Sequence, residues 1–309
     1  MMDYGHNQAE KALKGLERRM QTEYRMAYDE LSVKLEKHLE RYELQDAAKR
    51  KLYQAGKITK EEYVSWRTQT MFVGKKWQAM RNSMARELVK LDAANMDIIN
   101  NTAIGVFTDN ANYGVYEVEA GFGLATDFAL YNKDTAKVLF NDAGLHKSVN
   151  IRKDFRWNNK QISSALLQGV LQGESISGIS KRLERVTEMD CNSAIRNART
   201  MITGAENAGR LRGYKDMQDR GLYVNKVWEA TLSAKTRDSH RAIDMESVPV
   251  DETFNNGLMY PGDPSGDPAE YYNCRCTMIA QTDHATTEAL ERWSDLPDDI
   301  TYEEWKDGR

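Results

Sequence analysis

The chain has 309 residues, 40% of them hydrophobic and 29% charged, with a formal net charge of −4. That length is enough for about two domains with a sizeable core. The composition reads as globular and helix-rich, and the slight acidity excludes a chain built throughout as a nucleic-acid binder. Three cysteines are too few for a disulfide framework. No apolar run approaches the ~18 residues of a membrane span, and Met1-Met2-Asp3-Tyr4-Gly5-His6 lacks the basic and apolar regions of a secretory signal. The expectation is therefore a reducing cytoplasm as the place of synthesis and no membrane.

In chain order, Leu13, Leu16, Met20, Tyr24, Ala27, Leu31, Leu35, Leu39 and Tyr42 recur every three or four residues. This is one apolar stripe along a long helix. Gly56 interrupts it. Thr59 and Glu62 then stand as a capping box, flanked by Ile58 and Tyr63. A second stripe follows at Trp66, Val73, Trp77, Met80, Met84, Leu88 and Leu91. A narrow stripe needs a partner to cover it, so the two are expected to form an antiparallel helical hairpin. Its polar faces are left to dock on a larger assembly.

From Asn100 to Asn132 the residues are rich in Asn, Gly, Asp and Tyr. Val115-Tyr116-Glu117-Val118 and Gly121-Phe122-Gly123-Leu124 read as a short hairpin or an irregular loop. Thr135–Phe140 reads as a helix ended by Asn141-Asp142-Ala143-Gly144, and a domain boundary is placed near Lys147. Beyond it, Ile162, Leu166, Leu167, Val170 and Leu171 form a helical face closed by Gly173. Ser175–Val186 and Cys191–Arg220 are helical, the latter with small residues that permit close packing. After Gly221 the period turns to strand at Val224–Thr231, and Pro249–Thr277 is loop and short strand. The expected fold class is α+β, mostly α. A helical arm domain (1–146) precedes a helical domain with a small antiparallel sheet (147–282) and an acidic tail (283–309).

Charge is uneven. Residues 147–215 hold thirteen Lys/Arg against six Asp/Glu, and residues 283–309 nine acids against three bases. The basic stretch is a candidate face for DNA or an acidic partner, or a solvated helical surface.

The chemistry-bearing residues collect late in the chain. If extended, Cys274-Arg275-Cys276 puts both sulfurs on one side. With His240 they make three ligands of a tetrahedral zinc, the fourth being Asp238, Asp244, Cys191 or water. The other reading is reduced thiols and a hydrogen-bonded histidine that knit a loop. With water in the fourth position, and Asp244 or Glu246 as base, the same trio would suit a zinc-dependent hydrolase or nuclease. No His-Glu-x-x-His, Gly-x-Ser-x-Gly or phosphate-cradling glycine loop is present.

These residues also carry a resemblance. Val227-Trp228-Glu229-Ala230-Thr231, Thr236-Arg237-Asp238-Ser239-His240, Tyr260-Pro261-Gly262-Asp263-Pro264 and Asn273-Cys274-Arg275-Cys276 follow one another in order. Upstream stand Gly173-Glu174-Ser175-Ile176, Ala198-Arg199-Thr200 and Ala205-Glu206-Asn207. The series resembles the Mu F-like head-morphogenesis family, the minor head proteins of tailed phages. Two departures are visible. Ser233-Ala234-Lys235 stands where the family has an aspartate, and Asp244-Met245-Glu246 where it often has a glycine. The resemblance implies a minor head protein acting in procapsid assembly near the portal vertex. It would bind the portal protein or other head proteins, be assembled in the host cytoplasm and be carried in the virion. It points to His240, Cys274 and Cys276 as metal ligands and to no catalytic residue.

Overall fold

The computed structural model describes residues 3–72, 74–145, 154–172 and 174–309. Val73, His146, Gly173, the boundary at Lys147 and the side chains of Val170 and Ile176 lie outside the described residues. The fold is mostly helical, with small antiparallel sheets. Its helices are α1 (Tyr4–Gln54), α2 (Lys60–Phe72), α3 (Lys75–Phe122), α4 (Lys133–Asp142), α5 (Phe155–Leu171), α6 (Ile176–Gln218), α7 (Asp238–Ala242), α8 (Pro268–Tyr271), α9 (Thr287–Arg292) and α10 (Tyr302–Asp307). The strands are β1 (Leu124–Ala125), β2 (Leu222–Glu229), β3 (Ser247–Pro249), β4 (Thr277–Ala285) and β5 (Ser294–Asp295). Two compact units result, each drawn from separate stretches. One comprises Met1–Glu17, Asp97–Asn150 and Ile195–Arg309, the other Arg18–Met96 and Ile151–Ala194.

In the second unit the predicted stripes meet. Leu31, Leu35, Leu39 and Tyr42 of α1 pack with Trp77, Met80, Met84 and Leu88 of α3 and with Ile162, Leu166, Ile179 and Leu183. The capping box at α2 is formed, with Thr59 N–H donating to Glu62 (2.8 Å) and Glu62 N–H to Thr59 Oγ1 (3.1 Å). Gly56 takes a left-handed φ of 68°, which lets α1 end and the chain turn. The returning arm is two helices rather than one. At Gly74 a Cβ would sit 2.8 Å from the carbonyl oxygen of Thr70, and the helix restarts there.

In the first unit the short hairpin or loop expected at Val115–Val118 and Gly121–Leu124 is instead mostly the end of α3, which runs unbroken to Phe122, with Leu124 opening β1. Gly114 serves close helix contact rather than a turn, since a Cβ there would lie 2.8 Å from Arg210 O on α6. A Cβ on Gly209 or Gly213 of α6 would lie 2.5 Å from the carbonyl oxygen of Phe107 or Ala111 on α3. Asn110 and Thr108 return their side-chain hydrogens to Val106 O and Ile104 O, one turn back. Burial against α6 thus overrides poor helix propensity. The acidic end is also folded in. Trp305 of α10 is buried and donates to Glu119 of α3 at 2.6 Å, and Arg309 also pairs with Glu119.

The three-stranded sheet has the order β3-β2-β4, antiparallel throughout, with Trp228 opposite Met278. Trp228, Ile243, Phe254, Leu258, Tyr271, Cys274 and Cys276 form one buried cluster at its end.

Candidate metal centre

Three segments bring the site together. His240 comes from the short helix α7, Cys274 from the turn after α8, and Cys276 from the residue before β4. All three are 2% exposed. Nδ1 of His240 lies 3.4 Å from Sγ of Cys276 and 3.7 Å from Sγ of Cys274. The candidate ligand atoms all fall within 4.8 Å of one another. Zinc–nitrogen and zinc–sulfur bonds in a tetrahedron place N and S roughly 3.6 Å apart, so the residues present fit such an ion. On the other edge of the ring, Nε2 of His240 lies 3.0 Å from Oε2 of Glu270 on α8. Glu270 also accepts from Ser239 Oγ at 2.9 Å. The contact is close without being an aligned hydrogen bond, since Nε2 has no hydrogen-bond partner among the described residues; an ion on the trio would take Nδ1 as its nitrogen ligand, with the carboxylate behind the ring.

The thiols titrate apart. The hydrogen bond from the Cys274 thiol, followed by the favourable contact with His240, holds Cys276 below its ordinary value. The same bond, together with burial, pushes Cys274 up. Proton sharing between neighbours separates two otherwise similar groups in this way.

The backbone under the cysteines is held by a polar stripe on α6. Thr200 Oγ1 accepts from Asn273 N at 2.9 Å, and Thr203 Oγ1 donates to Cys274 O at 2.9 Å. Asn207 Nδ2 donates to Cys276 O (3.3 Å), and its Oδ1 accepts from Met278 N (3.0 Å). Arg210 Nη1 donates to Met278 O at 2.7 Å. Spacings of three and four residues set these side chains on one helix face. Asn273 takes a left-handed φ of 57°, a conformation that asparagine tolerates better than most residues.

Arg210 is fully buried and also pairs with Asp3 (2.5 Å) and Glu117 (3.5 Å). Burial raises the Glu117 carboxyl to about 7. Beside it, His6 Nδ1 meets Glu206 Oε1 at 2.8 Å. Burial works against a charge on His6, but the bond to Glu206 and the pull of Glu206 and Asp3 outweigh it and raise the imidazole to about 9.

The fourth position is not filled by the expected carboxylates. Asp244 Oδ1 accepts from Ala230 N at 2.9 Å and Asp238 is exposed, while Glu246, expected only as a base, accepts from Asn255 N. Cys191 belongs to the other compact unit. A cleft of about 130 Å³ reaches the trio instead, with Arg199, Lys235, Arg237 and Arg275 among its walls. Arg199 binds Glu17 and Asn273 Oδ1. Sequence reasoning missed Glu270 and the stripe Thr200, Thr203, Asn207 and Arg210. The stripe was readable as polar residues at helical spacing within a run of alanines and glycines. Nothing in the sequence marked Glu270.

Residues 160–279 match the protein family described as Phage Mu protein F like protein. This stretch holds all three residues of the trio. The chain is 28% identical over 121 residues to Minor head protein GP7 of Bacillus phage SPP1, covering 38% of this chain and 39% of that protein. It is 27% identical over 233 residues to NAD(+)--arginine ADP-ribosyltransferase EFV of Enterococcus faecalis, covering 72% of this chain and 48% of that protein. The chain therefore spans less than half the length of each of these two relatives. No solved structure matches it.

Proposed function

We propose, from the premise that residues 160–279 are a phage Mu protein F-like domain, that the chain is a minor head protein. In this reading it acts in head morphogenesis by binding other head components, at or near the portal vertex. It is assembled in the host cytoplasm and retained in the virion. The observation that carries the reading is the family match over 160–279, and the printed name of the SPP1 relative supports it. The transferase activity in the name of the Enterococcus relative belongs to a protein more than half of which lies outside the aligned stretch.

Within this function the trio His240, Cys274 and Cys276 is a structural zinc centre rather than a catalytic one. A structural ion needs closure, whereas a catalytic one needs a positioned base. Asp244 and Glu246, the nearest candidates in sequence, accept backbone N–H groups. Zinc would fasten α7 to the turn before β4, adding to the folding free energy directly. The hydrolase or nuclease reading rests on one observation, the cleft that reaches the trio. The hairpin of the second unit is the docking arm. DNA contact by the basic stretch would run through the exposed Arg156, Lys160, Lys181 and Arg185, since Arg182, Arg199, Arg210 and Arg212 are engaged in ion pairs.

The test is co-purification of the tagged full chain with phage portal and head proteins. Retention of the portal or a head protein supports the reading, and a chain that retains neither overturns it.

A further inference from the structure

We infer that the cleft above the trio is a binding site for a phosphoryl group. This goes beyond the zinc centre and does not depend on it, because the grip comes from side chains. Four cationic residues, Arg199, Lys235, Arg237 and Arg275, line a space of about 130 Å³, and none of its lining residues is acidic. Like charges gathered in one small cleft repel one another unless an anion sits among them. Glu17 offsets Arg199 alone. The remaining three cations match a multiply charged tetrahedral anion better than a single carboxylate, and guanidinium forks suit phosphate oxygens.

The cleft is also built in advance. Arg237 Nη2 donates to Tyr272 O at 2.5 Å, and Arg199 Nη1 to Asn273 Oδ1 at 2.8 Å. Both guanidiniums are thus fixed before any ligand arrives. The Nε of Arg199 is buried and meets no acceptor among the described residues, a buried donor of the kind normally satisfied. The loop bearing Lys235 is locked by its own hydroxyls. Ser233 N donates to Thr236 Oγ1 (2.8 Å), Lys235 N to Ser233 Oγ (3.2 Å), and Thr236 Oγ1 to Thr231 O (2.5 Å). Lys235 and Arg275 stand exposed, where an entering ligand meets them first. Such pre-organisation lowers the ordering cost of binding.

The test is calorimetric titration of the reduced full chain at constant ionic strength with inorganic phosphate, acetate and a short single-stranded DNA oligonucleotide. The expected result is saturable phosphate binding, with acetate about tenfold weaker. A Lys235→Gln/Arg275→Gln double variant should weaken phosphate binding by about tenfold or more at an unchanged melting temperature. An oligonucleotide that binds and is displaced by phosphate assigns the phosphoryl group to nucleic acid. Phosphate binding without oligonucleotide binding assigns it to a small phosphorylated ligand. No phosphate binding, acetate binding as tightly, or a well-folded double variant with undiminished affinity would each overturn the inference.

Discussion

Oε2 of Glu270 lies 3.0 Å from Nε2 of His240, while Nδ1 of the same ring faces Sγ of Cys276 at 3.4 Å. One imidazole thus has a carboxylate behind it and sulfurs before it. If the trio holds zinc, Glu270→Ala removes the group that orients the ring. Zinc affinity should fall about 10- to 100-fold, read by competition with a chromophoric chelator. Unchanged affinity would mean that the contact with Glu270 plays no part in metal binding.

Cys274→Ser and Cys276→Ser replace a thiolate with a poor zinc ligand. Each should lower the melting temperature and release zinc, as measured by elemental analysis of the purified chain. Wild-type chain with less than about a tenth of an equivalent of zinc, where a filled structural site holds one ion, would leave the trio as a metal-free knot.

Met245 has a φ of 63° at the position where the sequence departs from the expected glycine. Its N–H donates to Trp228 O at 2.8 Å, so the turn is tied to β2. A left-handed non-glycine residue costs about 1–2 kcal/mol, partly offset by the chain entropy that glycine loses on folding. Met245 is 63% exposed and little packing is lost with it. Met245→Gly should therefore stabilise by roughly 0.5–1 kcal/mol in urea unfolding.

The glycines of the α3–α6 contact give a paired test. Gly213→Ala forces a Cβ to 2.5 Å from Ala111 O and should destabilise by about 1–3 kcal/mol or more. Gly105 of α3 has open space around its Cβ position, so Gly105→Ala should stabilise by about 0.5–1 kcal/mol. Equal effects of the two changes in thermal unfolding would contradict the close packing.

The His6–Glu206 pair sets a pH dependence. The folded imidazole is raised to about 9 from an ordinary 6.5, so between those values the native state binds more protons than the unfolded chain. Its contribution is complete below about pH 6.5 and is lost as pH rises through about 9. A shift of this size corresponds to at most about 3–4 kcal/mol. His6→Gln should flatten the fall in unfolding free energy between pH 6.5 and 9 relative to wild type, measured by urea titrations at both values.

What could be read from the sequence was whatever depended on periodicity and local chemistry. The α1 stripe from Leu13 to Tyr42, the Thr59–Glu62 box and the strand at Val224 needed only neighbours in the chain. His240, Cys274 and Cys276 were found because residue type and spacing suggested ligation. What tertiary packing decides was not legible. The Gly- and Asn-rich half of α3 looks like a loop until α6 lies against it. The acidic end looks like a free tail until Glu119 accepts from Trp305. Glu270 is an ordinary surface-type residue until α8 carries it to His240.

The docking arm can be challenged without dismantling either unit. Leu44 is 77% exposed on α1, and Val64 is exposed on α2. Leu44→Lys/Val64→Lys should leave the melting temperature unchanged and reduce co-purification with head components. Undiminished co-purification would rule out that part of the hairpin as the anchor.

The most direct measurement is the protein composition of assembled heads. The full chain would be co-expressed with the portal and major head proteins of its phage, and particles would be purified by sedimentation and quantified by mass spectrometry. A minor head protein should co-sediment at a fixed, low copy number per particle. A soluble, well-folded chain that stays at the top of the gradient while heads form normally would contradict its role in head morphogenesis.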